Sequence, residues 1–73
     1  MEAQLHSTTK IVELNGVPAR VWEGHTASGI PIVACITRIA VSADERQDEF
    51  TRELAECQPP SQEVESWPLR LVL

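Results

Sequence analysis

Gly29-Ile-Pro-Ile-Val-Ala-Cys-Ile-Thr-Arg-Ile-Ala-Val41 is the longest apolar run of the chain, and it carries one charge, Arg38. It is rich in β-branched residues, with Gly29 at one end and Ser42-Ala-Asp44 at the other. Such a run reads as a buried strand rather than a helix. Its two faces are Ile30, Ile32, Ala34, Ile36, Arg38, Ala40 and Pro31, Val33, Cys35, Thr37, Ile39, Val41. A strand apolar on both faces is either covered on both sides or lies at an interface. In a chain of 73 residues one short helix covers only one side of a sheet, so the run predicts self-association, with a homodimer as the simplest form.

Immediately upstream, Lys10-Ile-Val-Glu-Leu-Asn-Gly-Val-Pro-Ala-Arg-Val-Trp-Glu23 carries a hairpin signal. Asn15-Gly16 between β-prone segments predicts a type I′ turn, because both residues tolerate positive φ. A two-residue turn sets Leu14 against Val17, Glu13 against Pro18, Val12 against Ala19, Ile11 against Arg20 and Lys10 against Val21. One face then holds Val12, Leu14, Val17, Ala19 and Val21; the other holds Ile11, Glu13, Pro18, Arg20 and Trp22. Pro18 has no N–H to donate, so that position must turn away from a partner strand. Glu23-Gly-His-Thr-Ala-Ser-Gly29 reads as a second, looser turn. Residues 1–8 are polar and mixed, and are expected to be disordered.

Downstream, Ser42-Ala-Asp-Glu45 has the pattern of a capping box and predicts a helix over about 43–57. Ala43, Phe50, Leu54 and Cys57 form one narrow apolar stripe, and Asp48–Arg52 and Arg52–Glu56 are i,i+4 pairs. Gln58-Pro-Pro60 ends the helix. Ser61 to Ser66 predicts one further turn capped by Ser61. Trp67-Pro68 resets the backbone to extended, and Leu69-Arg-Leu-Val-Leu73 alternates as a strand.

The expected fold is α+β within a single domain spanning 1–73. A three-stranded antiparallel meander (about 10–15, 17–23, 29–41) carries one amphipathic helix packed on the sheet, and a C-terminal strand (69–73) joins it. That strand lies beside the third strand, parallel to it, or beside the first; the sequence leaves both open. The expected core is Val12, Leu14, Val17, Val21, Ile32, Ile36, Phe50, Leu54, Leu69 and Leu71.

Charge narrows the functions. Residues 1–41 hold three basic and three acidic side chains, and residues 42–73 hold three and eight, so the whole net charge of −5 belongs to the second part. A single lysine and no basic stripe argue against direct nucleic-acid binding and against acidic membrane surfaces. No apolar run approaches the roughly 20 residues that span a bilayer. Met1 to Thr9 lacks the basic start and apolar core of a secretory leader, so a cytoplasmic location is expected. Cys35 and Cys57 read as free thiols in a reducing compartment, with a bridge between them sterically possible.

Catalytic, cofactor-binding and metal-ligating patterns are not found. There is no Cys-x-x-Cys, His-x-x-x-His, Gly-x-Gly-x-x-Gly or phosphate-loop spacing, and Gly16, Gly24 and Gly29 are all assigned to turns. His25 with Cys35 is the one conceivable dyad, with nothing to orient the imidazole. The expected function is therefore a non-enzymatic protein-interaction module. Trp22 and Trp67 are candidate anchors for a protein partner, because tryptophan is enriched at binding hot spots. The alternative is an acidic decoy, in which Asp48, Glu49 and Glu56 mimic phosphates and block a basic nucleic-acid-binding protein.

The segments Asn15-Gly-Val-Pro-Ala-Arg-Val-Trp-Glu-Gly24, Ile36-Thr-Arg-Ile-Ala40 and Pro68-Leu-Arg-Leu-Val-Leu73 resemble small uncharacterised proteins of bacterial and phage genomes. The resemblance covers roughly half the chain and includes no functional motif. It implies a bacterial or prophage origin and brings no activity, cofactor or site.

Overall fold

Asn15 and Gly16 adopt φ of 51° and 83°, the two positive values that a type I′ hairpin requires. The turn joins β1 (Ala3–Leu14) to β2 (Val17–Thr26) in the expected register, from Leu14 opposite Val17 to Ile11 opposite Arg20. In the computed structural model, which describes residues 1–66, β3 (Pro31–Ile36) pairs on the far side of β2. The sheet is an antiparallel meander in the order β1-β2-β3. Two helices follow, α1 (Gln47–Leu54) and α2 (Gln62–Ser66), so the fold is α+β. The C-terminal strand expected over 69–73, with Leu69 and Leu71, lies outside the described residues.

The N-terminal residues expected to be disordered form the first half of β1. Ala3 to Ser7 pair with Thr26 to Trp22. Gly24 is correspondingly a strand residue and not part of a turn. A Cβ there would overlap the Gln4 carbonyl, so only glycine lets the two backbones approach. The turn begins later. The Thr26 N–H donates to Ile30 O (2.9 Å), the Ile30 N–H to Thr26 Oγ1 (3.1 Å), and Gly29 takes φ +90°.

The register of β1 on β2 shifts between Ser7 and Ile11, where three β1 residues face Val21 alone. Lys10 therefore shares Val21 with Thr8 and Thr9 and is not its ladder partner, as a plain hairpin would make it. The bulge turns Thr8 fully inward. Its hydroxyl donates to Val21 O (2.7 Å), and the Arg20 guanidinium donates to Thr8 O (2.8 Å). The outer edge of the bulge also holds the chain that follows α1. The Thr9 N–H donates to Gln58 O (2.9 Å) and the Gln58 N–H to Ser7 O (3.1 Å), forming a parallel bridge.

That bridge explains why α1 ends at Leu54 and not at Cys57. Gln58 must be extended to pair, as it must before Pro59. The start of α1 also differs from the expected capping box. Ser42 Oγ accepts the Asp44 N–H (3.4 Å) and Ser42 O the Glu45 N–H (3.0 Å), which closes a local turn, and the helix begins after Arg46 with no side-chain cap. Short side-chain-to-backbone bonds of this kind compete with helix initiation. No residue of α1 is buried, so it does not lie flat on the sheet as a core helix would.

β3 stops at Ile36, short of the expected Val41. Continuing its register would set Arg38 against Pro18, which has no N–H for the ladder. The interior is correspondingly small. Among the described residues the buried apolar side chains are Ala19, Val21 and Val64, joined by the polar Ser7, Thr8 and Thr26. Of the expected core only Val21 is fully buried. Val12, Leu14, Ile32, Ile36 and Phe50 are half-buried, and Val17 and Leu54 are exposed.

α2 supplies Val64. Ser61 caps it as expected, its Oγ accepting the Val64 N–H (3.3 Å). The Ser61 N–H donates to Glu23 Oε2 (2.8 Å), and Lys10 Nζ reaches Val64 O (3.5 Å). Glu23 and Val21 share one sheet face, so α2 covers the face that bears Val21. Partial burial pushes the Glu23 carboxyl up, but the Ser61 hydrogen bonds and nearby His6 outweigh it and hold it below the ordinary glutamate range.

Candidate protein-binding groove

The opposite face of the sheet is covered in part among the described residues: Ser7 is buried and its hydroxyl donates to Glu56 O (3.1 Å), and the rest stays open. Strand alternation places Pro18, Arg20 and Trp22 of β2 there, with Ile11 beside Arg20 on β1 and Ile36 beside it on β3. Trp22 stands opposite Ser7 and Ala34, two small residues that leave its ring half-exposed. The chain leaving β3 adds Thr37, Arg38 and Ile39, and α1 contributes Leu54. Together these residues line an open groove of about 260 Å³. Its apolar walls are in water: Ile11 is 51% exposed, Ile39 46% and Leu54 37%.

The charges in the groove are both positive. No carboxylate of the described residues lines it, although the chain has eleven. Arg20 spends one N–H on Thr8 O and keeps further donors on its five-donor guanidinium. Arg38 is exposed and makes no hydrogen bond or ion pair among the described residues. A larger hollow, about 600 Å³, lies between Met1–Gln4 and His25–Ala27. Its lining is mostly polar, and Met1, which forms part of it, is wholly exposed.

Of the candidate anchors, Trp22 lies in the groove, and Trp67 lies outside the described residues. The three acids are not brought together as one rigid row. Asp48 is exposed in the first turn of α1. Glu49 is half-buried and paired with Arg46 at 2.9 Å. Glu56 falls beyond the helix, its carbonyl accepting from Ser7 Oγ (3.1 Å). None of the three lines the groove.

The conceivable dyad is not assembled. His25 stands opposite Pro31 and Cys35 opposite Val21, four ladder positions apart, about 13 Å at the usual strand rise. Cys35 and Cys57 are both free thiols. Among the described residues no group of three or more His, Cys, Asp or Glu is placed to hold a metal ion, and no helix is long and apolar enough to cross a membrane.

Sequence reasoning put Ile11, Arg20 and Trp22 on one face but did not single out the arginine. Arg38, expected on one strand face with Ile36, and Leu54, expected in the helix stripe, join them through the paths of the chain after β3 and of α1. No family model, curated protein or solved structure matches the chain.

Proposed function

We propose that this chain is a non-enzymatic protein-interaction module that associates with itself through the outer edge of β3. The observation that carries this reading is the composition of that edge. Pro31-Ile-Val-Ala-Cys-Ile36 has no charge, is apolar on both faces and is the terminal strand of the sheet among the described residues. Sheet edges ordinarily carry charges, bulges or covers that prevent pairing with another chain. Among the described residues the one guard is Pro31, at the first position of the strand. Around a twofold axis normal to the sheet, residues that meet must share a face. A pairing centred on Ala34 sets Ile32 against Ile36 and Val33 against Cys35, apolar on apolar in both layers.

The thin core supports the same reading. Among the described residues three buried apolar side chains are few for a core, and a second copy would add burial to them. The acidic-decoy reading has less behind it, because Glu49 is engaged by Arg46 and Glu56 lies off the helix.

Light scattering over a wide range of concentrations tests the proposal. The parent chain is expected to be a dimer, and Val33→Lys a monomer. Val33 faces Glu23 across the ladder, so the new ammonium meets a carboxylate and the fold is kept, as circular dichroism would confirm. A parent chain that is monomeric at every concentration would sink the self-association.

A further inference from the structure

We infer that the groove beneath Trp22 receives an acidic, apolar peptide segment of another protein, with a carboxylate of that segment bound by Arg20 and Arg38. This does not depend on the β3 edge, because the groove opens on a sheet face.

Charge complementarity selects the occupant. In a chain with eleven acids and six basic residues, two arginines share one groove with no acid in its lining among the described residues. Neither is paired with a carboxylate among the described residues, whereas Arg46, which lies outside the groove, is. A guanidinium offers parallel N–H donors that match a carboxylate, and such charge-assisted bonds are about twice as strong as neutral ones. Around the arginines the walls are the Trp22 ring and the side chains of Ile11, Ile36, Ile39 and Leu54. An aromatic residue and an arginine within an apolar rim is the composition of a binding hot spot.

Size and net charge exclude other classes of ligand. The groove is below the roughly 300–1,000 Å³ of sites that enclose drug-sized ligands, and it suits one or two side chains of a peptide. A nucleic-acid strand would meet two arginines against a net charge of −5, too little to hold a phosphate backbone.

The experiment uses a short fluorescein-labelled peptide, Asp-Glu-Leu-Phe-Leu-Asp-Glu, and its uncharged counterpart with Asn and Gln at the acidic positions. Binding to the full chain is read by fluorescence polarisation at low and high salt. The acidic peptide is expected to bind at least tenfold more tightly than the uncharged one, and less tightly as salt rises. Arg38→Gln is expected to weaken binding about tenfold, and its exposed, unpaired side chain makes it a substitution that leaves the fold intact. Arg20→Gln should weaken binding as well, with circular dichroism checking the bulge it supports. Val33→Lys should bind as the parent does, even as it separates the copies. Equal affinity for the two peptides, or unchanged binding by Arg38→Gln, would overturn the inference. Loss of binding in Val33→Lys would also overturn it, by moving the peptide to the β3 edge.

Discussion

Replacing Thr8 with valine removes one hydroxyl and keeps the shape of the side chain. Thr8 is wholly buried, so no water replaces the lost oxygen. The hydroxyl donates to Val21 O at 2.7 Å and accepts the Lys10 N–H at 3.3 Å. A buried polar group left without its partner costs about 1–3 kcal/mol. The Val21 contact is short and buried, and the Lys10 contact is long and partly solvated, so together they amount to roughly 2–3 kcal/mol. No cavity adds to this, because the volume is unchanged. For a domain of this length each kcal/mol lowers the melting temperature by roughly 4–8 °C, so Thr8→Val should melt about 10–20 °C below the parent. The assay is thermal unfolding followed by circular dichroism, with all chains at one concentration because self-association would raise the apparent stability. Thr9→Val is the control. Thr9 is exposed and meets Gln58 through its backbone N–H, which valine retains, so the change should stay within about 0.5 kcal/mol. A Thr8→Val chain that melts with the parent would refute the reasoning that the buried hydroxyl stabilises the bulge.

Other perturbations separate the remaining contacts. Val64→Ala deletes the equivalent of two buried methylenes and should cost about 2 kcal/mol, whereas Val17→Ala, at a side chain 48% exposed, should cost under half of that; urea unfolding compares them. Gly24→Ala forces a Cβ into the Gln4 carbonyl, and the cost of about 3 kcal/mol or more should appear as loss of the strand signal in circular dichroism. The Glu23 carboxyl titrates below the ordinary glutamate value in the folded chain, so the stability it adds is present above that ordinary value and is lost as pH falls through the folded one. Melting temperatures measured from neutral pH down to about pH 3 should therefore fall less steeply in Glu23→Gln than in the parent, across the carboxylate range. Identical slopes would show that the folded state does not favour the charged form of Glu23.

The hairpin was legible in the sequence because its determinants are local. Asn15-Gly16 sets two positive φ values, and period-2 alternation then fixes the faces, so Ile11, Arg20 and Trp22 fall together without reference to the rest of the chain. Ser61 as the cap of a short helix was legible for the same reason, since the hydroxyl reaches an N–H three residues away. The meander followed from two turns and a third β-branched run. What failed depends on a local competition in one case and on partners distant in sequence in the others. Ser42-Ala-Asp-Glu45 matches a capping box, yet its bonds close locally and the helix starts later. The bulge at Thr8 has no local signal, because it answers to Arg20 and Val21 on β2 and to Gln58 beyond α1. The long apolar run ends as a strand at Ile36 because Pro18, on the neighbouring strand, has no hydrogen to give. The groove has the same origin: the hairpin supplies Trp22 and Arg20, and only the paths taken after β3 and along α1 bring Arg38, Ile39 and Leu54 over them.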